Sequence, residues 1–398
     1  MELCSLCSEG GESFLLKGGL VCYPWGFQKG DLFFGRSIGS LDDIPQARSN
    51  LTSINCDDVI VSPGFVDIHV HGSDGGDVMD GSLESLETMA RSMIPTGVTS
   101  FIGATMSYPL SSLEEVLSVA AKYRREQLPY NGKAVLLGVH LEGPFLSPFK
   151  AGAHIPGYLI DPDPDFVISH RDIVKIVTLA PERDGALSFI ALLKSVGINI
   201  SIGHTVCDYD KAMSAIALGA SGFTHLYNAM SPMGHRNPGA VGAAFDSRCW
   251  CELIFDGVHV HPAAIRTACK AIAPDRVILI TDSIRARGLG DGSFDLGGLT
   301  VKVTDDRAEL PDGTLAGSVL TMIKGIKNAV EWGALSLHQA LNGASLNPAK
   351  YIGDDTIGRL ERGCKGDVVL IDRDTLSIQG VFVGGELSFC SEWLKSRF

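Results

Sequence analysis

No apolar run in the sequence approaches the roughly 18 residues that a helix needs to cross a bilayer, which excludes a helical membrane protein. The opening stretch, "MELCSLCSEGGESF", lacks the basic and apolar segments of a secretory signal, so the expected compartment is the cytoplasm. Cations are also scarce. The 33 Lys and Arg stand against 46 Asp and Glu, and the net charge of −13 argues against general affinity for nucleic acid or an anionic membrane surface. One local basic cluster could still hold a phosphate. Cysteine is present, ten in all, but not in the pattern of a structural zinc site. Cys4 and Cys7 form a CxxC with no second pair to complete four ligands, and Cys249 and Cys251 form only a CxC. In a cytosolic protein these read as reduced thiols.

The remainder is ordinary for a globular chain with a sizeable core: 45% apolar and 20% charged over 398 residues. Its ends differ from its middle. Residues 13–60 and 356–390 are short β-like pieces broken by Gly and Asp turns, which predict a small β-sandwich domain built from both termini. The middle alternates eight near-continuously apolar runs with helical segments such as "SLESLETMARSMIPT", "DYDKAMSAIALGA" and "HPAAIRTACKAIA". Runs of that kind suit parallel strands buried on both faces. Eight β-then-α units predict an α/β fold, a (β/α)8 TIM-like barrel, with an open doubly wound sheet as the alternative. The expected division is 1–62 and 354–398 for the small domain, and 63–353 for the barrel.

The segment "FVDIHVHGSDGG" sets His69 and His71 two residues apart, hence side by side on one face of a strand that glycines then end. Taken alone, such a pair is as often structural as metal-binding. Other runs end in the same way, with Glu142 in "HLEGP", His204 in "SIGHT", His225 in "THLYNAM" and Asp282 in "LITDS". Barrel active sites lie at the C-terminal ends of the strands. Six such groups on one rim, uncompensated, would cost several kcal/mol each. A divalent cation supplies the compensation, so all six are candidate metal ligands. Zinc comes first by ligand chemistry, with iron, manganese and cobalt also compatible.

These residues carry a resemblance. The blocks "PGFVDIHVHG", "GVHLEGPFLSPFKAGAH", "GHT", "THLYNAMSPMGHRNPGAVGAAF", "DGVHVHP", "TDS" and "LAGSVLTM" resemble the N-acetylglucosamine-6-phosphate deacetylases of the amidohydrolase superfamily. The resemblance implies one metal held by His69, His71, Glu142 and Asp282, and another by Glu142, His204 and His225, so one or two per subunit. In dihydroorotase-like relatives a carbamylated lysine late in the fourth strand bridges the metals. Here the fourth run, "IVKIVTLAPE", has Lys175 near its start, and Glu142 takes the bridging place.

The resemblance also implies a phosphorylated amino sugar as substrate and a homodimer as the assembly. Arg236, in "GHRNPG", suits a phosphate because its planar fork matches phosphate oxygens. The family pattern adds His259 near the phosphate, Asn228 and Ala229 on phosphate or sugar, His154 on the acetamide or a hydroxyl, and Leu315, Ala316 and Gly317 closing over the substrate. Asp282 is the implied catalytic residue, taking a proton from water as general base and returning it to the leaving amine as general acid. His140, two before Glu142, reads as a supporting residue, His261 as structural and His170 as a surface residue. Ser283 and the Val206–Cys207 pair depart from the pattern without removing a ligand. The competing readings are the galactosamine epimer, a cyclic-amide hydrolase, and a sugar-phosphate sensor without activity.

Overall fold

The computed structural model describes residues 12–44, 51–127 and 131–398, so Cys4 and Cys7 lie outside the described residues. Eight parallel strands form the central sheet: Phe65–Val70, Val98–Ala104, Val135–Glu142, Val174–Leu179, Asn199–Ile202, Gly222–Phe223, Trp250–Ile254 and Val277–Ile280. Each pairs with the next in chain order. The first and eighth meet through bonds at their ends: Asp282 N–H donates to the His69 carbonyl, and His71 N–H to the Ser283 carbonyl, both at 2.9 Å. The buried Asp67 carboxylate spans the same seam, accepting from the Thr281 hydroxyl at 2.5 Å and its N–H at 3.3 Å. The sheet therefore closes into a barrel, as expected, and the open-sheet alternative falls.

Helices cover the outside, and their starts follow from capping residues. Ser82 accepts from Ser85 N–H ahead of Leu83–Met93, Asp208 from Lys211 N–H ahead of Tyr209–Leu218, and His261 from Ala263 N–H ahead of Pro262–Ala271. His261 is thus structural, as anticipated. His170 accepts no substrate-facing role either: it caps the helix Pro164–Ser169 and bonds the Phe166 carbonyl at 2.8 Å.

Two runs need correction. "VIVSPGFVDIHVH" is two strands, because the chain crosses between domains at Gly64. Val59–Pro63 belongs to the small domain and Phe65–Val70 to the barrel. The run "GFTHLYNAM" keeps only Gly222–Phe223 as strand. Beyond Thr224 the backbone turns, with His225, Tyr227 and Ala229 all at left-handed φ, and local bonds such as Asn228 N–H to the His225 carbonyl replace the ladder. After the eighth strand the chain inserts a three-stranded antiparallel sheet, Gly292–Leu296, Leu299–Thr304 and Arg307–Glu309. It lies above the barrel rim and leads into residues 314–317.

The small domain is one seven-stranded sheet from both ends of the described chain, joined where Val59–Pro63 pairs antiparallel with Val368–Asp372. Its first strand, Ser13–Tyr23, loses register at Gly18–Gly19. Gly18 has φ +71°, and a Cβ there would lie 2.4 Å from the Asp57 carboxylate. Phe14 and Phe34 are cross-strand partners and the Phe382 ring packs against both, with centroids 5.4 Å (Phe14–Phe34), 4.8 Å (Phe14–Phe382) and 5.1 Å (Phe34–Phe382) apart. That contact is the centre of the sandwich. Replacing Phe382 with Ala should lower unfolding free energy by about 3–5 kcal/mol in a denaturant titration. A loss below about 1 kcal/mol would contradict the role given to this ring triad.

Candidate metal centre

All six rim residues named above come together at the C-terminal mouth of the barrel. Glu142, ending the third strand, lies at the centre. Its Oε2 is 3.3 Å from His69 Nε2 and 3.1 Å from His71 Nε2, and its Oε1 is 3.2 Å from His204 Nε2 and 2.9 Å from His225 Nε2. Asp282 Oδ1 faces the first pair at 3.5 Å and 3.3 Å. Each of two sets, His69, His71 and Asp282, and Glu142, His204 and His225, has its ligand atoms within 4.8 Å of one another. All six are buried.

Backbone geometry aims these side chains. His204, His225 and Asp282 have φ of 47°, 29° and 49°, a left-handed conformation that turns each side chain from the strand end toward the axis. Such residues cost about 1–3 kcal/mol each and persist where the surroundings hold them. Glu182, in the turn three residues past the fourth strand, does so for His204: it accepts from the Thr205 hydroxyl and from Val206 N–H at 2.8 Å. Ser283 holds Asp282 by donating to the Gly72 carbonyl at 3.0 Å.

The tautomers are fixed from behind. His69 Nδ1–H donates to Glu252 at 3.0 Å, and His204 Nδ1–H donates to the Lys150 carbonyl at 2.7 Å. In both rings the Nε2 lone pair therefore faces carboxylate oxygens. His69 Nε2 is buried and has no hydrogen-bond partner. Lone pairs aimed at lone pairs repel unless a cation lies between them, so this donor set fits a divalent metal. Protons are the other remedy, and the electrostatics show it. Burial alone would lower the His71 pKa, yet Asp282 and Glu142 raise it to about 9. Burial would raise Asp282, yet His69 and His71 hold it at about 2.

His140 behaves differently. Its Nε2 meets the Thr178 hydroxyl at 2.6 Å and its Nδ1 the Ile68 carbonyl at 3.3 Å, and burial lowers its pKa to about 4. With both nitrogens engaged by the protein, it supports the barrel interior. Lys175 sits at the far end of the fourth strand, Val174–Leu179, away from the rim.

A cleft of about 370 Å³ opens above Glu142. Its wall includes His71, His154, Asn228, Ala229, His259, Asp282, Leu315 and Gly317. His154 takes a hydrogen bond from Ser107 N–H at Nδ1 (3.1 Å), which leaves the proton on Nε2, 3.8 Å from Glu142. Burial holds its pKa at about 3, so the ring is a neutral donor. His259 is bound through Nδ1 to Asp256 at 2.6 Å; burial works against its protonation, but the carboxylate outweighs it and raises the pKa. Two expectations do not reach the wall. Ala316 is buried in the core beneath it, between two residues that line it. Arg236 is exposed and bonded to His235 at 2.7 Å. Reading the sequence missed Lys150, Met106, Thr314 and Leu296 in the wall, and Glu252 and Ser107 behind it. A carboxylate inside the apolar run "CELIF" was the available signal for Glu252.

Comparison with known proteins agrees with this geometry. The pattern of the Amidohydrolase family matches residues 60–388. The N-acetylglucosamine-6-phosphate deacetylase of Vibrio furnissii is 38% identical over 83% of both chains. The N-acetylgalactosamine-6-phosphate deacetylase of Escherichia coli O157:H7 is 36% identical over 83% of this chain and 88% of its own. The crystal structure of N-acetylglucosamine-6-phosphate deacetylase from Pasteurella multocida superposes with a TM-score of 0.88 at 31% identity, over 94% of this chain and 99% of its own. The barrel and all six rim residues fall within the family match, and the chain belongs to the amidohydrolase family.

Proposed function

We propose that this chain hydrolyses the N-acetyl group of N-acetylglucosamine 6-phosphate, giving acetate and glucosamine 6-phosphate. The observation that carries the reading is Glu142, with an imidazole pair on each carboxylate oxygen, at the floor of a cleft sized for a small ligand. His69, His71 and Asp282 would hold one divalent metal and His204 and His225 a second, with Glu142 shared between them. Zinc suits the imidazole and carboxylate donors, and iron, manganese and cobalt are also compatible. When bound, such an ion lowers the pKa of water toward about 7 and polarises a carbonyl.

The side chains have distinct parts in the reaction. Asp282 takes the proton of the attacking water and gives it to the amide nitrogen, so that the amine leaves neutral. His154 donates from Nε2 to the acetyl oxygen as negative charge develops there. His259, whose pKa burial lowers but the Asp256 carboxylate raises on balance, would face the phosphate end. The galactosamine epimer remains the second reading because the E. coli relative bears that name at nearly the same identity.

For Arg236 we keep the phosphate role but assign it to the cleft of a second copy in a homodimer, since it stands exposed and apart from its own. A cytoplasmic location suits Cys22, Cys56, Cys207, Cys249, Cys251, Cys269 and Cys364, which are buried free thiols.

Zinc-replete protein should release acetate from N-acetylglucosamine 6-phosphate, and faster than from the galactosamine epimer; the reverse order favours the second reading, and no release from either rejects both. Asp282→Asn should cut kcat by about 10²–10⁴-fold with KM little changed. Turnover near the wild-type rate would remove Asp282 from the mechanism. Arg236→Ala should raise KM about tenfold or more, in a protein that sediments as a dimer; an unchanged KM contradicts the assignment. Finally, His71 raised to about 9 must lose its proton to bind a metal. Zinc uptake at pH 7.5 should therefore release protons, and affinity should climb as pH rises toward about 9. Calorimetry in two buffers of different ionisation heat checks this, and equal heats would contradict it.

A further inference from the structure

Glu252 is buried at 1% exposure in the seventh barrel strand, inside the apolar run "CELIF". Neither the reaction above nor the packing of the strand needs a carboxylate there. A charge in such a place is costly unless something pairs with it. Its Oε2 accepts two hydrogen bonds: from His69 Nδ1 at 3.0 Å and from the backbone N–H of His225 at 3.3 Å. These two partners belong to different halves of the centre. His69 faces Asp282 and Glu142 Oε2, whereas His225 faces Glu142 Oε1. The backbone carbonyl of Glu252 adds a third tie, accepting from Leu226 N–H at 2.8 Å. One residue thus grips the turn that carries His225 and the ring of His69.

We propose that Glu252 is the positioning residue of the metal centre, resting on the metal reading given above. By accepting the Nδ1 proton it keeps His69 in the tautomer whose Nε2 lone pair faces Glu142 and Asp282. By accepting the His225 N–H it holds the left-handed turn (φ 29°) that points this second imidazole at Glu142. Removing the carboxylate frees the His69 ring to place its proton on Nε2, where a metal cannot bind. Partners of this kind behind a metal ligand typically contribute 10- to 100-fold in affinity. Because one oxygen serves both halves, the two metal positions are expected to weaken together, with the His69 position losing more.

The test is a zinc titration of metal-free wild type, Glu252→Gln and Glu252→Leu against a chromophoric chelator, with circular dichroism as the control for folding. Glu252→Leu should bind zinc at the His69 position about 10- to 100-fold more weakly. Glu252→Gln, whose amide oxygen still accepts the Nδ1 proton, should lose only about three- to tenfold. In a His69→Ala background Glu252→Gln should cost less than it does beside His69, because only the tie to the His225 N–H remains for it to act through. Wild-type affinity in folded Glu252→Leu overturns the proposal, as does a full effect of Glu252→Gln without His69. Should Glu252→Leu fail to fold, Glu252→Gln with and without His69 decides alone. Failure of the underlying reading looks different: the wild type itself then takes up no zinc, and the positioning role falls with it.

Discussion

Four imidazoles and two carboxylates share one small volume at the barrel mouth, and the rest of the structure depends on how that crowding is relieved. Glu142 is approached by a histidine pair on each oxygen, and no water shell is there to screen them. Left alone, the cluster holds protons on imidazole and keeps its carboxylate ionised, as the raised His71 and the depressed Asp282 indicate. A divalent ion would relieve the same repulsion with ligands already aimed. The cluster is stable only when something positive occupies it, which is the property that a hydrolytic centre exploits.

The barrel answers this demand through its strand ends. Side chains along a strand alternate between the barrel interior and the helix layer, so the backbone at each strand end decides where a rim residue points. Left-handed residues at His204, His225 and Asp282 turn those side chains inward, and Glu182, Glu252 and Ser283 hold the turns. The seam between the first and eighth strands is closed by backbone bonds of His69, His71, Asp282 and Ser283, so the same residues close the barrel and build the site. Fold and chemistry are therefore coupled at that seam. The small domain contributes from outside, sharing apolar core with the first and second barrel strands through Ile60, Val369 and Val381.

Periodicity and strand ends made the barrel and the six rim residues legible, because buried parallel strands read as apolar runs and a polar residue ending such a run is conspicuous. What escaped has physical reasons. The sixth strand looked long because "THLYNAM" is apolar enough to continue it, and only tertiary bonds reveal that it turns after Thr224. Glu252 did have a signal, a carboxylate inside the apolar run "CELIF", but its partner His69 lies 183 residues away in sequence. For Arg236 the motif spoke to phosphate but not to whether the residue serves its own cleft or a neighbour's, because exposure is not written in a motif. The inserted sheet did have a signal, alternation around the Gly297–Gly298 and Asp305–Asp306 turns, but its place above the rim did not.

The central claim is that Glu142 bridges two metal positions. Anomalous diffraction from zinc-soaked crystals, recorded on both sides of the zinc edge, tests it most directly. The account predicts two peaks flanking the Glu142 carboxylate, with zinc about 2.0–2.2 Å from its oxygens and from the Nε2 atoms of His204 and His225 on one side and of His69 and His71 on the other. Peaks elsewhere on the chain, with none against Glu142, would contradict it.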